Sequence, residues 1–137
     1  DQTDVALKIV ADHARFVAFA IADGVLPSNE GRGYVLRMIL RRAVRFARQF
    51  LGITKPSLHQ LMAIVAKLYG SAYPSLPEKR KHLEDTVSLE EARFLETLDR
   101  GTNSLQELID DLKQKGKTVI PGAEVFKLYD TYGFPKE

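Results

Sequence analysis

The chain has 137 residues, 45% apolar and 28% charged, enough to bury a core in one compact domain or two small helical subdomains. Cysteine is absent, which excludes disulfide frameworks, thiolate metal sites and cysteine nucleophiles and points to a reducing intracellular compartment. The net charge of +2 divides into +5 over residues 1–70 and −3 over residues 71–137, an asymmetry expected of a chain with a localised anionic partner.

The run from Thr3 to Ala22 is almost entirely apolar or alanine, with Thr3 as the expected cap and Gly24 as the expected stop. Ile9, Val10, Phe16, Val17, Phe19 and Ile21 cover most of its circumference, so it is predicted to be a central helix enclosed by neighbours. Gly24 to Gly33, GVLPSNEGRG, is a loop with at least one tight or left-handed position. A second helix follows from about Tyr34 to Leu51. It sets Arg37, Arg41, Arg45 and Arg48 at i, i+4, i+8 and i+11, one narrow stripe, opposite an apolar face that includes Leu36, Leu40 and Val44.

Pro56 and Ser57 open a third helix, in which Ser57 and Gln60 have capping-box spacing and Gly70 is the expected stop. The Pro-containing stretch from Ala72 to Pro77 is read as a linker, dividing the chain into subdomains 1–71 and 72–137. From Glu78 to about Lys115 apolar residues recur near every 3.5 positions, predicting one long helix or a hairpin turning at Gly101, Thr102 and Asn103. Ala123 to Tyr132 is a short last helix that Gly133 and Pro135 end. With no strand pattern, the fold class is all-α: a bundle of five to six helices in two subdomains.

Three constellations stand out. Six arginines and no acid lie between Arg32 and Arg48, a spacing that suits phosphates, whereas a merely solvated face usually mixes signs. Arg42 lies off the stripe and is available to a carboxylate within the protein or on a neighbouring domain. The glycine-rich loop 27–33 stands at the start of the basic helix, where free N–H groups favour an anion, yet Ser28 and Asn29 also suit a cap or a turn. Asp130, in LYDTYGFP, sits against the helix dipole, as it would if held for a partner or bonded to nearby backbone. The acidic pairs Glu90-Glu91 and Asp110-Asp111 read as solvated faces. His13, His59 and His82 have no metal-ligand spacing, no run reaches the ~20 apolar residues of a membrane span, and no catalytic motif is found.

The blocks Ala11-Asp12-His13, ADGVLPSNEGRGYVLR over residues 22–37, Arg41-Arg42-Ala43-Val44-Arg45, and LYDTYGFP over residues 128–135 resemble the alanyl-tRNA synthetase family in wording and in spacing. The resemblance covers the whole chain, is least diagnostic from Thr54 to Gly116, and identifies the helical tRNA-recognition region that follows the class II catalytic core. It implies that Asn29 and Asp130 read the G·U wobble pair of the alanine tRNA acceptor stem, while Arg32, Arg37, Arg41 and Arg45 hold its phosphates. A wobble pair leaves a guanine amine unpaired in the minor groove, which a carboxylate or amide can address. The resemblance implies no cofactor in this fragment, with ATP and Mg²⁺ used by the full-length enzyme.

It likewise implies a cytoplasmic location, partnership with catalytic and editing domains of a longer chain, and no activity alone, since the class II core motifs and the editing-domain ligands are not in these residues. Two other readings compete: a helical protein-interaction module using residues 78–115, and non-specific RNA binding by the arginines alone.

Overall fold

The computed structural model describes residues 1–132, with side chains described for residues 1–127. Among the described residues all regular structure is helical: α1 (Gln2–Ala22), α2 (Gly31–Leu51), α3 (Leu58–Tyr69), α4 (Ser75–Glu78), α5 (Arg80–Gln114) and α6 (Gly122–Tyr132). None of them is long and apolar enough to cross a membrane. The chain divides into two compact units, Asp1–Arg93 and Phe94–Glu137.

In the first unit α1 packs on α2 and α3. Its cap is Asp1, whose carboxylate accepts from the Asp4 amide at 2.9 Å, not Thr3, which lies inside the first turn. At the other end Gly24 turns at φ +97°, and Lys79 Nζ donates to the Ala22 carbonyl at 2.7 Å, placing a cation on the negative end of the helix dipole. The buried side of α1 is a single stripe, Ala6, Val10, Ala14, Val17, Ala18 and Ile21. Phe16 is exposed, so α1 is not enclosed all round as its apolar content predicts. Alanine supplies half of that stripe and lets the neighbouring backbones approach closely. Phe19 fixes the α1 end by edge-on contacts to Tyr69 at 5.6 Å and Tyr73 at 4.9 Å between ring centres.

The predicted linker is not where the chain divides. Within it α4 forms a short turn of helix that buries Leu76 completely, and the beginning of α5 carries buried Leu83, Val87, Glu90 and Glu91 within the same unit. The 71/72 boundary expected from proline content therefore moves to Arg93, because burial and ion pairing outweigh local composition.

The long-helix-or-hairpin alternative resolves to one 35-residue helix, α5, about 50 Å long at the standard rise per residue. Gly101 does not turn the chain: it is buried, and a penalty of about 1 kcal/mol for an interior glycine is small beside the apolar stripe that continues through Leu98 and Leu112. Helix α5 closes where Gly116, at φ +70°, lets the Lys117 amide reach back to the Leu112 carbonyl at 2.9 Å. In the second unit Pro121 precedes α6, its carbonyl accepting from the amides of Glu124 and Val125. The predicted stop at Gly133 and Pro135 lies outside the described residues.

Candidate nucleic-acid interface

Helix α2 begins at Gly31, three residues earlier than predicted, with Glu30 as an extended cap residue that makes no side-chain cap bond. Neither Ser28 nor Asn29 acts as the cap. Ser28 instead ties the loop to itself: its hydroxyl donates to the Glu30 carbonyl at 2.9 Å and its amide donates to the Gly33 carbonyl at 3.1 Å. The loop lies so close to the first helical turn that a Cβ at residue 33 would stand 2.1 Å from Ser28 Oγ and 2.3 Å from the Leu26 carbonyl oxygen. Gly33 is thus required by close approach, and Gly31, at φ +64°, by backbone conformation. Together they hold Asn29 at an exposed bend in front of the basic helix.

Asn29 is not left to rotate. Its side-chain oxygen accepts from Arg37 Nη1 at 2.5 Å, and the other edge of the same guanidinium is held by Glu90, with Nε at 2.8 Å from Oε1 and Nη2 at 3.4 Å from Oε2. Arg41 Nε donates to the same Glu90 Oε1 at 3.2 Å. The Glu90 side chain is 4% exposed, against 16% and 15% for Arg37 and Arg41, so the two arginines enclose a buried carboxylate. Burial pulls the Arg41 guanidinium below its ordinary pKa, and the Glu90 charge works against that shift.

This corrects two expectations. Glu90 and Glu91 are not a solvated pair but the buried polar residues of the first unit, and the arginine stripe does not lack a counter-charge. The counter-charge arrives from α5, more than forty positions away in sequence. Arg37 and Arg41, expected among the phosphate contacts, meet that competing partner. Arg32 at the loop and Arg42 remain exposed, while Arg45 and Arg48 are half-buried. Arg42 and Arg45 lie over the Phe46 ring at 5.4 and 4.9 Å from its centre, which orients both guanidinium groups.

Glu91 serves a different end. One of its oxygens accepts from the backbone amides of both Ser57 and Leu58, at 2.9 and 2.8 Å, and the second from Leu58 at 3.1 Å. The predicted capping box is therefore replaced by a carboxylate delivered from α5, and the Ser57 hydroxyl makes no cap bond. His59 Nδ1, buried and without a hydrogen-bond partner among the described residues, lies 3.9 Å from the same carboxylate.

Of the residues singled out from sequence, the structure brings Asn29, Arg37 and Arg41 into one network and adds Glu90, which sequence reasoning assigned to the surface. Asp130 lies on α6, and its side chain lies outside the described residues. Among the described residues no three His, Cys, Asp or Glu side chains come together as a metal site.

A family model of class II tRNA synthetases (A) matches residues 1–137. Alanine–tRNA ligase of Pelotomaculum thermopropionicum is 53% identical over 136 residues, covering 99% of this chain and 15% of the relative. The corresponding ligase of Carboxydothermus hydrogenoformans is 54% identical over 137 residues, covering 100% of this chain and 16% of the relative. That of Geobacillus thermodenitrificans is 52% identical over 134 residues, 98% of this chain and 15% of the relative. The chain thus spans about 15% of the length of the curated relatives it matches.

Proposed function

This chain belongs to the class II tRNA synthetase (A) family as a segment of an alanine–tRNA ligase, and from that premise we propose that it recognises the acceptor stem of the tRNA the whole ligase charges. On this reading Asn29 and Asp130 address the G·U wobble pair. Arg32 and the Phe46-supported Arg45 hold backbone phosphates, fixing register without reading sequence. Arg37 and Arg41 contribute positive potential from behind the reading loop while anchored to Glu90.

The observation that carries the reading is the presentation of Asn29. An exposed carboxamide stands at a bend built by two glycines, in front of a helix with six arginines and no acid from Arg32 to Arg48, and its oxygen is fixed by Arg37. A mere turn residue needs no such fixing. A purely electrostatic phosphate site needs no oriented amide.

The catalytic partner is the remainder of the ligase, where ATP and Mg²⁺ are used to activate alanine and esterify the tRNA. The site of action is the cytoplasm.

The test is fluorescence-anisotropy binding of the full-length ligase to an acceptor hairpin carrying G·U and to the same hairpin carrying G·C, at two salt concentrations. A several-fold preference for G·U that survives the higher salt supports base-pair reading. Equal binding that collapses with salt overturns it in favour of phosphate contact alone.

A further inference from the structure

We propose that Arg37, itself oriented by Glu90, is a positioning residue that fixes the polarity of the Asn29 carboxamide, so that Asn29 meets RNA as a hydrogen-bond donor. The proposal rests on the reading of Asn29 as a base-pair contact and states which half of its amide makes that contact.

Oxygen and nitrogen of a carboxamide are interchangeable in shape, and only their partners distinguish them. The partner here leaves no choice. A guanidinium has five N–H donors and no acceptor, so the Asn29 atom facing Arg37 Nη1 must be the oxygen. The guanidinium cannot swing away, because its Nε and Nη2 edge lies along the two oxygens of Glu90, leaving Nη1 directed at Asn29. Glu90 is in turn buried and shared with Arg41, which resists rotation of the carboxylate. The Asn29 Nδ2 group has no hydrogen-bond partner among the described residues, and the residue is exposed. What the loop presents is therefore an NH₂ group, matched to an acceptor such as a base carbonyl oxygen or ring nitrogen, while the guanine amine is left to a carboxylate.

Asn29→Asp separates this from a structural role. Aspartate has the same shape, keeps an oxygen toward Arg37 and strengthens that contact, but it carries no donor. The readout is the ratio of aminoacylation kcat/KM for G·U and G·C tRNA in the full-length ligase; the added charge repels both RNAs, and the ratio cancels that effect. Asn29→Asp is expected to reduce the ratio about tenfold, as far as Asn29→Ala does, with an unchanged melting temperature. Arg37→Met, which keeps the stem and removes the donors, is expected to reduce it similarly although Asn29 is intact. Arg37→Lys, again a donor only, is expected to recover part of it.

If Asn29→Ala lowers the ratio and Asn29→Asp does not, the amide acts as an acceptor and the proposal fails while the base-pair reading stands. If Asn29→Ala leaves the ratio unchanged, both fail. A wild-type ratio with Arg37→Met removes Arg37 from the positioning role; should that variant not fold, the Asn29→Asp result decides.

Discussion

Arg37 Nε lies 2.8 Å from Glu90 Oε1 across 53 positions of sequence, joining the basic helix to the acidic half of the chain through a buried pair. The guanidinium group that holds this carboxylate also holds the exposed Asn29 side chain, so core stability and the shape of the reading loop depend on one contact.

Removing Glu90 takes away the carboxylate that two partly buried guanidinium groups share. Glu90→Ala is expected to destabilise the first unit by about 3 kcal/mol, the range seen when one partner of a buried pair is deleted. Equilibrium denaturation checks this. Arg41→Ala is expected to lower stability as well, by a smaller amount because Arg37 remains on Glu90, so its effect on RNA binding must be read beside its melting temperature.

Gly33→Ala directs a Cβ onto the Leu26 carbonyl oxygen, 2.3 Å away, a backbone atom that cannot move without the loop. We expect a loss of about 1–3 kcal/mol, together with weaker G·U preference, since Asn29 is carried on the same loop. Calorimetry and tRNA binding on one preparation measure both.

Glu91 and His13 give opposite pH dependences. Burial raises the Glu91 carboxyl above its ordinary value of 4.5, the backbone bonds from Ser57 and Leu58 opposing. The proton-linked part of its contribution is fully present below pH 4.5 and is lost as pH rises through the raised value, whereas its bonds to the two amides persist. Burial, then the charge of Arg42, lowers His13 below its ordinary 6.5, so its contribution is present above pH 6.5 and is lost as pH falls through the lowered value. Glu91→Gln should flatten the first slope and His13→Gln the second in melting temperature followed against pH. At neutral pH Glu91→Ala is expected to cost about 2 kcal/mol through two orphaned amides at the start of α3.

Arg32 is exposed beside the loop. Arg32→Ala is expected to weaken G·U and G·C hairpins alike and to reduce the salt dependence by roughly one phosphate contact. Binding titrations at several salt concentrations check this; a change confined to one hairpin would assign Arg32 to base reading instead.

The longer helices were legible because their signals are local, whereas α4 fell within a stretch read as a linker. Gly52 ends α2 at φ +68°, and the buried line Leu36, Leu40, Ala43, Val44 and Ala47 has helical spacing. What could not be read depends on distant partners. Adjacent acids on a helix have the pattern of a solvated face, and nothing within several residues of Glu90 or Glu91 announces Arg37, Arg41 or the start of α3. The one local signal was the unbalanced charge of α2, which required an anion from somewhere; the structure supplies part of it from within the chain. Asn29 was singled out by the family resemblance, and its fixing by Arg37 follows only from the fold, although the spacing of eight residues places both near one end of α2.

The most direct test of the central claim is the G·U to G·C ratio of aminoacylation kcat/KM in the full-length ligase, measured for wild type, Asn29→Ala and Asp130→Ala. Base-pair reading by this segment predicts that each substitution lowers the ratio by about 1–3 kcal/mol of discrimination, with little change in activity toward G·C tRNA. Ratios that stay at the wild-type value in both variants would contradict it, leaving these helices to phosphate contact alone.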